Sequence, residues 1–342
     1  MFTASASPLL SIVIPAHNEQ QGIGVTVDVI SGILREHALP SEIIVVDDGS
    51  RDGTYAELVR LSGLYPELLG IKLSRNFGKE SAILAGLKAA KGQAIVTLDG
   101  DLQHPPTLIP AMVEEWRKGA KIVNAVKRER RGDGIFVRMR ASLYGSLGRL
   151  LGGVDLRNSS DYKLIDRSVL LVITERITEY ERFYRGLVQW VGFRQSNLYF
   201  DVDERAHGQT KFSLMALIRL AITGVVSFTS APLRIVTGLG VVTMLFALGV
   251  SADAVWSWAH DASVSGFATI IITLLMIGSS IMISLGVLGE YIAKIYDEIK
   301  KRPSFLVEED TASQPAPGLL TAQVDVNPGA ALRQGVAPEQ KL

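Results

Sequence analysis

From Leu9 to about Val126, short β-branched runs alternate with stretches of helical periodicity: LLSIVIP, EIIVVDD, GIKL, QAIVTLD and KIVNAV, separated by roughly ten to twenty-five residues. This is the pattern of strands joined by helical crossovers, so an α/β domain with a mostly parallel sheet and flanking helices is expected. Three runs end in polar clusters: Pro15-Ala16-His17-Asn18-Glu19, Asp47-Asp48-Gly49-Ser50 and Asp99-Gly100-Asp101. Ligands of open α/β sheets lie at the carboxyl ends of the strands, so these clusters should converge on one crevice. From Lys127 to Leu214 the pattern is less periodic and rich in Arg, Tyr and Gly, and it reads as an extension over that crevice.

The pattern then changes. Ile235 to Ala252 and Ala262 to Gly289 are apolar and charge-free, each at or above the length of about 18 residues that a transmembrane helix needs. The turn between them, DAVWSWAHDAS, holds Asp253 and Asp261 but no Lys or Arg. Lys211, Arg219 and Arg234 precede the pair, and Lys294, Lys300, Lys301 and Arg302 follow it. The positive-inside rule then places both flanks in the cytoplasm, with Trp256 and Trp258 as interface anchors on the other side. Arg219 and Pro232 argue against a third span, and an amphipathic interface helix is expected there instead. The expected organisation is a cytoplasmic catalytic domain over 1–212, a juxtamembrane helix over 213–231 and a two-helix hairpin over 232–293. A basic segment over 294–307 and a disordered tail over 308–342 complete it. The first nineteen residues lack the basic region and the long apolar run of a signal peptide and read as a first strand.

Composition narrows the function. The mean hydropathy of +0.24 suits a membrane component. The 35 basic and 35 acidic side chains cancel, which removes the basic excess of a nucleic-acid binder. Absence of cysteine excludes disulfides, thiolate nucleophiles and cysteine-zinc sites. The stretch TLDGDLQHPP has a plain reading as a turn, because Asp-Gly favours turns and Pro-Pro blocks a continuing helix. Its place after a strand gives it a second one. Asp99, Asp101 and Gln103 form an oxygen-rich set suited to Mg²⁺ or Mn²⁺, ions that bind through one or two carboxylates plus substrate phosphates. Asp47 and Asp48 could act as first-turn acids or accept hydrogen bonds from a nucleotide, and Asp52 or Ser50 should cap the following helix. NFGKES is not a phosphate loop, since Leu73 and Glu80 stand where that motif needs Gly and Ser or Thr.

HNEQQGI, EIIVVDDGSRDGT, LSRNFGKESAILAGLKAAKG, LDGDLQHPP, SSDYKLIDR, ERFYRGLVQWVGF and RAHGQTKFS occur in the order typical of family 2 glycosyltransferases. The chain resembles their polyprenyl-phosphate branch, which includes bactoprenol glucosyltransferases and dolichol-phosphate mannose synthases. GEYIAKIYDEIKKRPSF after the second span matches the bactoprenol members. The resemblance implies a GT-A fold, a UDP- or GDP-sugar donor, a divalent metal and a polyprenyl phosphate acceptor at the cytoplasmic membrane. It further implies that Pro15, Asn18, Glu19 and Asp48 line the nucleotide pocket, with Lys79, Gly100 and Lys127 in the donor-binding set. Asp99 would face ribose and diphosphate, and Asp101 with Gln103 would hold the metal. Arg205 and Lys211 would neutralise phosphates, and Asp161 would be the base or an acceptor-orienting acid. Two departures stand out: Lys127 replaces an Arg after the fifth strand, keeping charge but losing the planar fork, and Tyr162-Lys163 replaces Phe-Arg. Arg138, Arg140 and Arg149 are candidates for anionic headgroups, and small residues in the spans suit a homo-oligomer. Other readings are a processive polysaccharide synthase, for which two spans are few and Gln-x-x-Arg-Trp is absent, and an inactive assembly partner, against which Asp99, Asp101 and Gln103 argue.

Overall fold

The computed structural model describes residues 8–127, 160–180, 182–200, 231–260 and 266–313. Arg138, Arg140, Arg149, Arg205, Lys211, the expected helix over 213–230 and the tail beyond 313 lie outside the described residues.

The five expected strands form: β1 (Leu10–Ala16), β2 (Ser41–Asp47), β3 (Leu68–Leu73), β4 (Ala94–Thr97) and β5 (Ile122–Lys127). Helices α1 (Ile23–Glu36), α2 (Thr54–Ser62), α3 (Lys79–Ala89) and α4 (Ile109–Arg117) connect them. The next elements are β6 (Lys163–Asp166), α5 (Arg167–Leu171), α6 (Tyr184–Trp190) and β7 (Gln195–Phe200). The chain closes with α7 (Ala231–Ala259), α8 (Phe267–Ile299) and β8 (Val307–Asp310). One eight-stranded sheet has the order β7-β5-β6-β4-β1-β2-β3-β8. The pairs β1–β2, β1–β4, β2–β3 and β5–β7 are parallel, while β6 lies antiparallel to both β4 and β5.

The sheet is covered on both faces, which is why its central strands are apolar throughout rather than alternating. Ile12, Ile14, Ile43, Val45 and Val96 belong to one buried cluster with Ile23, Val27 and Met112 from α1 and α4. Val13, Ile44, Val46, Ile95 and Ile165 belong to the other, with Ile83 and Leu87 from α3 and Val188 from α6. Helix α3 seats closely because Gly86 faces β1: a Cβ there would meet Val13 Cγ1 at 2.4 Å.

Three expectations are corrected here. The segment after Lys127 is not only a cover over the crevice, since β6 and β7 are strands of the sheet itself. The turn expected from Asp253 begins later: α7 continues to Ala259, because nothing in DAVWSWA breaks a helix. The tail expected from residue 308 starts as ordered chain. β8 pairs antiparallel with the β3 edge, Thr311 N–H donates to Gly70 O at 2.9 Å, and Gly70 N–H donates to Thr311 Oγ1 at 3.0 Å.

Helices α7 and α8 are long and apolar enough to cross a membrane, with mean hydropathies of 2.1 over Ile235–Ser257 and 2.4 over Ile270–Ile299. They meet through Thr243 Oγ1 and Ser280 Oγ at 3.3 Å. Glu298, in the last turn of α8, accepts the Tyr180 N–H at 2.9 Å. The chain following the apolar helices is thus fastened back onto the sheet domain.

Truncation after Phe305 keeps both helices but strips the β3 edge. The loss should destabilise the domain by about 3 kcal/mol, several backbone hydrogen bonds at about 1 kcal/mol each, and expose an edge prone to pairing with other chains. Thermal melting followed by light scattering in detergent measures both effects; an unchanged melt would show that β8 contributes no stability.

Candidate active site

The carboxyl ends of β1, β2 and β4 open into a cleft of about 360 Å³. Of the expected donor-binding residues, Pro15, Glu19, Asp48, Lys79, Asp99 and Gly100 line it, together with Asp101. The loops are tied to one another before any ligand enters. Asp48 accepts the N–H groups of Phe77 at 2.7 Å and Gly78 at 2.9 Å, fixing the loop after β3. Gly49 has φ +61° and lies so close to the Arg75 backbone that a Cβ would approach it to 2.3 Å, a place only glycine fills without strain. His17 Nδ1–H donates to the Asp48 carbonyl at 2.9 Å, leaving Nε2 to accept from the amides of Asn18 at 3.0 Å and Asn76 at 3.1 Å. His17 is therefore a linker of three loops.

Asn18 ties more than it lines. Its N–H donates to Ser50 Oγ at 2.8 Å and its Oδ1 accepts the Arg51 N–H at 2.9 Å, with φ at 55°. Asp47 is buried and accepts from both the N–H and the hydroxyl of Ser50. Burial pushes its carboxyl up, and the bonds from Ser50 oppose that only in part. Asp52 accepts the Thr54 N–H at 3.0 Å just before α2, but the cap position is Gly53, so neither Asp52 nor Ser50 is the cap residue itself.

In DGDLQH the backbone with positive φ is at Leu102, φ 54°, rather than at Gly100, whose carbonyl accepts the Thr26 hydroxyl at 2.6 Å. Asp101 and Gln103 are exposed, and the Gln103 N–H donates to Asp101 Oδ1 at 3.1 Å. Glu19 faces the same edge: burial and then the Asp101 charge raise its carboxyl above the ordinary range. An acid held up by a neighbouring acid marks a place where a cation would relieve repulsion. Among the described residues no three acidic or histidine side chains converge as a protein-only metal cage. Asp99 and Asp101 line the cleft and Gln103 is exposed beside them, the oxygen donors this edge offers to an ion that keeps waters and takes phosphate oxygens. His104 packs its ring near Tyr162 and Phe200, centroids 5.3 and 6.0 Å away, with Nδ1 at 4.0 Å from Asp99 Oδ2. Lys127 is exposed at the end of β5, two strands from β4, and is not among the cleft-lining residues.

A cluster with two cations adjoins Asp99. Lys79 Nζ, at the start of α3, lies 2.6 Å from Asp99 Oδ1 and 2.7 Å from Asp161 Oδ2. Arg185, at the start of α6, grips Asp161 with Nε and Nη2, each at 2.6 Å. The Asp161 side chain is 5% exposed, whereas Arg185 and Lys79 keep 41% and 42%. Burial alone would push the Asp161 carboxyl up, but Arg185 and Lys79 outweigh it and hold it well below the usual carboxylate range. Both carboxylate oxygens of Asp161 are thus engaged by cations. Arg185 stands within the ERFYRGLVQWVGF motif, but its partner is named only by the fold.

Glu80, beside Lys79, points inward and accepts the Tyr184 N–H at 2.9 Å, securing the start of α6. Burial pushes its carboxyl up to about 7; the Tyr184 bond lowers it and the Asp161 charge adds to the rise. Because the folded value lies above the unfolded one near 4.5, the folded chain binds more protons between those values, and this contribution to stability is lost as pH rises from about 4.5 through 7. Glu80→Gln keeps an acceptor for Tyr184 without the charge. Its melting temperature should exceed that of the unsubstituted protein at pH 8 and match it near pH 4.5; parallel pH profiles would refute the assignment.

Residues 11–183 match the profile of glycosyl transferase family 2. An uncharacterised glycosyltransferase of Synechocystis is 37% identical over 302 residues, covering 88% of this chain and 95% of the relative. A prophage bactoprenol glucosyl transferase homologue of Escherichia coli K12 is 33% identical over 301 residues, covering 87% and 98%. Among solved structures, glucosyl-3-phosphoglycerate synthase of Mycobacterium tuberculosis in complex with UDP aligns with a TM-score of 0.41 at 23% identity, over 64% of this chain and 79% of that one. With the profile spanning the strands and acids of the cleft, and relatives above 30% identity matching along nearly their whole length, the chain belongs to glycosyltransferase family 2.

Proposed function

We propose that this chain transfers a sugar from a UDP- or GDP-sugar to a polyprenyl phosphate held in a membrane, inverting the anomeric configuration. The observation that carries the reading is a single cleft lined by the acids Glu19, Asp99 and Asp101 and by Lys79, whose amine joins Asp99 to the Asp161–Arg185 pair. The apolar helices fastened to the same domain by β8 supply a reason for a lipid acceptor. A bactoprenol glucosyl transferase homologue among the relatives supports the same acceptor class.

In this reading an acceptor phosphate oxygen forms a bond to the anomeric carbon, and the bond from that carbon to the β-phosphate oxygen breaks as the nucleoside diphosphate departs. A phosphate monoester has its second pKa near about 6 and is largely dianionic at neutral pH, so no general base is required. This agrees with an Asp161 that has no idle oxygen. Asp161 instead presents Lys79 and Arg185 to the phosphates at fixed positions, so that little reorganisation is needed as charge develops. Arg205 and Lys211 would add to that charge. Asp101, Gln103 and Asp99 would hold Mg²⁺ or Mn²⁺, which when bound neutralises charge on the departing diphosphate. The glycines of the helical hairpin, including Gly240, Gly249 and Gly286, have open space where a Cβ would stand, which suits close packing with further copies in a bilayer.

Membranes carrying the protein, given polyprenyl phosphate and a panel of labelled nucleotide sugars, should make one label lipid-extractable. Chelation should abolish the signal and Mg²⁺ or Mn²⁺ restore it. Asp101→Asn should reduce turnover at least a hundredfold while membrane insertion is unchanged; near-normal transfer by that variant would sink the assignment.

A further inference from the structure

Helices α3 and α6 are joined at their starts by two separate links. In the first, a clamp on Asp161, Lys79 of α3 meets Oδ2 at 2.7 Å and Arg185 of α6 meets the same oxygen through Nη2 at 2.6 Å. In the second, the carboxylate of Glu80, next to Lys79, accepts the N–H of Tyr184, next to Arg185, at 2.9 Å. Lys79 lines the cleft, so the oxygen they share makes Arg185 the neighbour of the cleft's own cation. A guanidinium has more N–H donors than one fork consumes. The fork to Asp161 takes one donor on Nε and one on Nη2, and the Arg185 side chain is 41% exposed, so donors remain for an anion.

Where those donors point depends on how α6 is held. The helix begins at Tyr184 with Phe183 at its N-cap, and no side chain caps it from that position. An aromatic ring has no acceptor for the orphan N–H groups of a first turn. Glu80 brings one from another element, and a bond to a carboxylate is roughly twice as strong as a neutral one. Tyr184 is fastened at its far end as well. Its side chain is buried, and its hydroxyl lies 3.3 Å from the Thr97 hydroxyl, which donates to the Asp161 carbonyl at 2.5 Å. Held by Asp161 alone, the start of α6 would be free to pivot about the fork. The bond from Glu80 falls on the residue before Arg185, so that turn cannot shift without turning the guanidinium.

We propose that Glu80 is a positioning residue: by fixing the first turn of α6 it aims the unshared N–H donors of Arg185 at a phosphate group bound beside Lys79. The catalytic consequence rests on the transfer reading above, whereas the binding consequence is measured without it.

The test uses the full chain in detergent, titrated calorimetrically with inorganic pyrophosphate in the absence of divalent metal, so that the protein's own cations are read. Glu80→Met fills the space without an acceptor and should bind about tenfold more weakly, since small misplacements of a positioned group are costly. Glu80→Gln keeps the acceptor and should return affinity to within about threefold. A double-mutant cycle with Arg185→Ala separates positioning from structure. Arg185→Ala should itself weaken binding, and adding Glu80→Met to it should cost no more than about twofold further. A merely structural residue would give its full loss in both backgrounds. Should Glu80→Met fail to fold, Glu80→Asp, which falls short of Tyr184, replaces it in the same cycle. In the transfer assay the variant should raise the KM for the nucleotide sugar if Arg185 meets the donor diphosphate, or the KM for polyprenyl phosphate if it meets the acceptor. Unchanged pyrophosphate affinity, an additive cycle, transfer with neither KM raised, or no pyrophosphate binding by the unsubstituted protein overturns the inference. If the cycle holds while the unsubstituted protein transfers no sugar to lipid, the transfer reading fails and the role of Glu80 stands.

Discussion

The buried carboxylate of Asp161, gripped by Arg185 and Lys79, is the contact on which the site depends. Its three members come from the segment before β6, the start of α6 and the start of α3, so the pairing exists only when β6 has entered the sheet beside β4. Removing one partner of a buried pair leaves an uncompensated charge, at about 3–5 kcal/mol when burial is complete. With Arg185 and Lys79 about two-fifths exposed, solvent screening puts the cost toward or below the lower end of that range. Even so it is a substantial part of the 5–15 kcal/mol that typically stabilises a domain. The clamp therefore holds the sheet together as well as arranging its cations.

The acidic side of the cleft is held differently, by hydrogen bonds between loops rather than ion pairs. Asp48 spends its carboxylate on the backbone of Phe77 and Gly78, His17 joins the Asp48 carbonyl to two amides, and Asn18 locks onto Ser50 and Arg51. These bonds are satisfied without a ligand, so the shape of the cleft is set in advance and binding does not have to order three loops. What the bonds leave at the cleft is charge: Asp101 and Glu19 at the acidic edge, and Lys79 beside Asp99. Fixed dipoles shape the pocket, and the charges at its rim set its electrostatics.

The strands that were legible in the sequence are those buried on both faces, where β-branched runs such as EIIVVDD leave no alternative. β6, β7 and β8 were not legible, each for its own reason. KLID is four residues long with a lysine in it, QSNLYF faces solvent at alternate positions on an edge, and VEED is acidic. Such strands take their pairing from the neighbours already in place rather than from their own pattern. The acids at the strand ends were likewise visible, because position after an apolar run singles them out. Their partners were not. Nothing in the spacing links Asp161 to Arg185 or Glu80 to Tyr184, and Asn18 and Gly100 took local roles that only the backbone angles at Asn18 and Leu102 disclose.

The route of the chain after the sheet links the apolar hairpin to the cleft. Helix α8 has 33 residues, about 50 Å at 1.5 Å per residue, against a hydrocarbon thickness of about 30 Å. With its apolar stretch in a bilayer, the charged last turns must stand in water, where Glu298 meets Tyr180 and the chain runs on to β8. β8 does not join the sheet at an arbitrary edge. It pairs with β3, and Leu306 accepts the N–H of Ser74, the first residue beyond that strand. The next residues, Asn76 to Lys79, carry the amide that meets His17, the backbone held by Asp48 and the first cation of the clamp. A displacement of α8 relative to the sheet would therefore act first on the loop that joins the acidic edge of the cleft to the clamp.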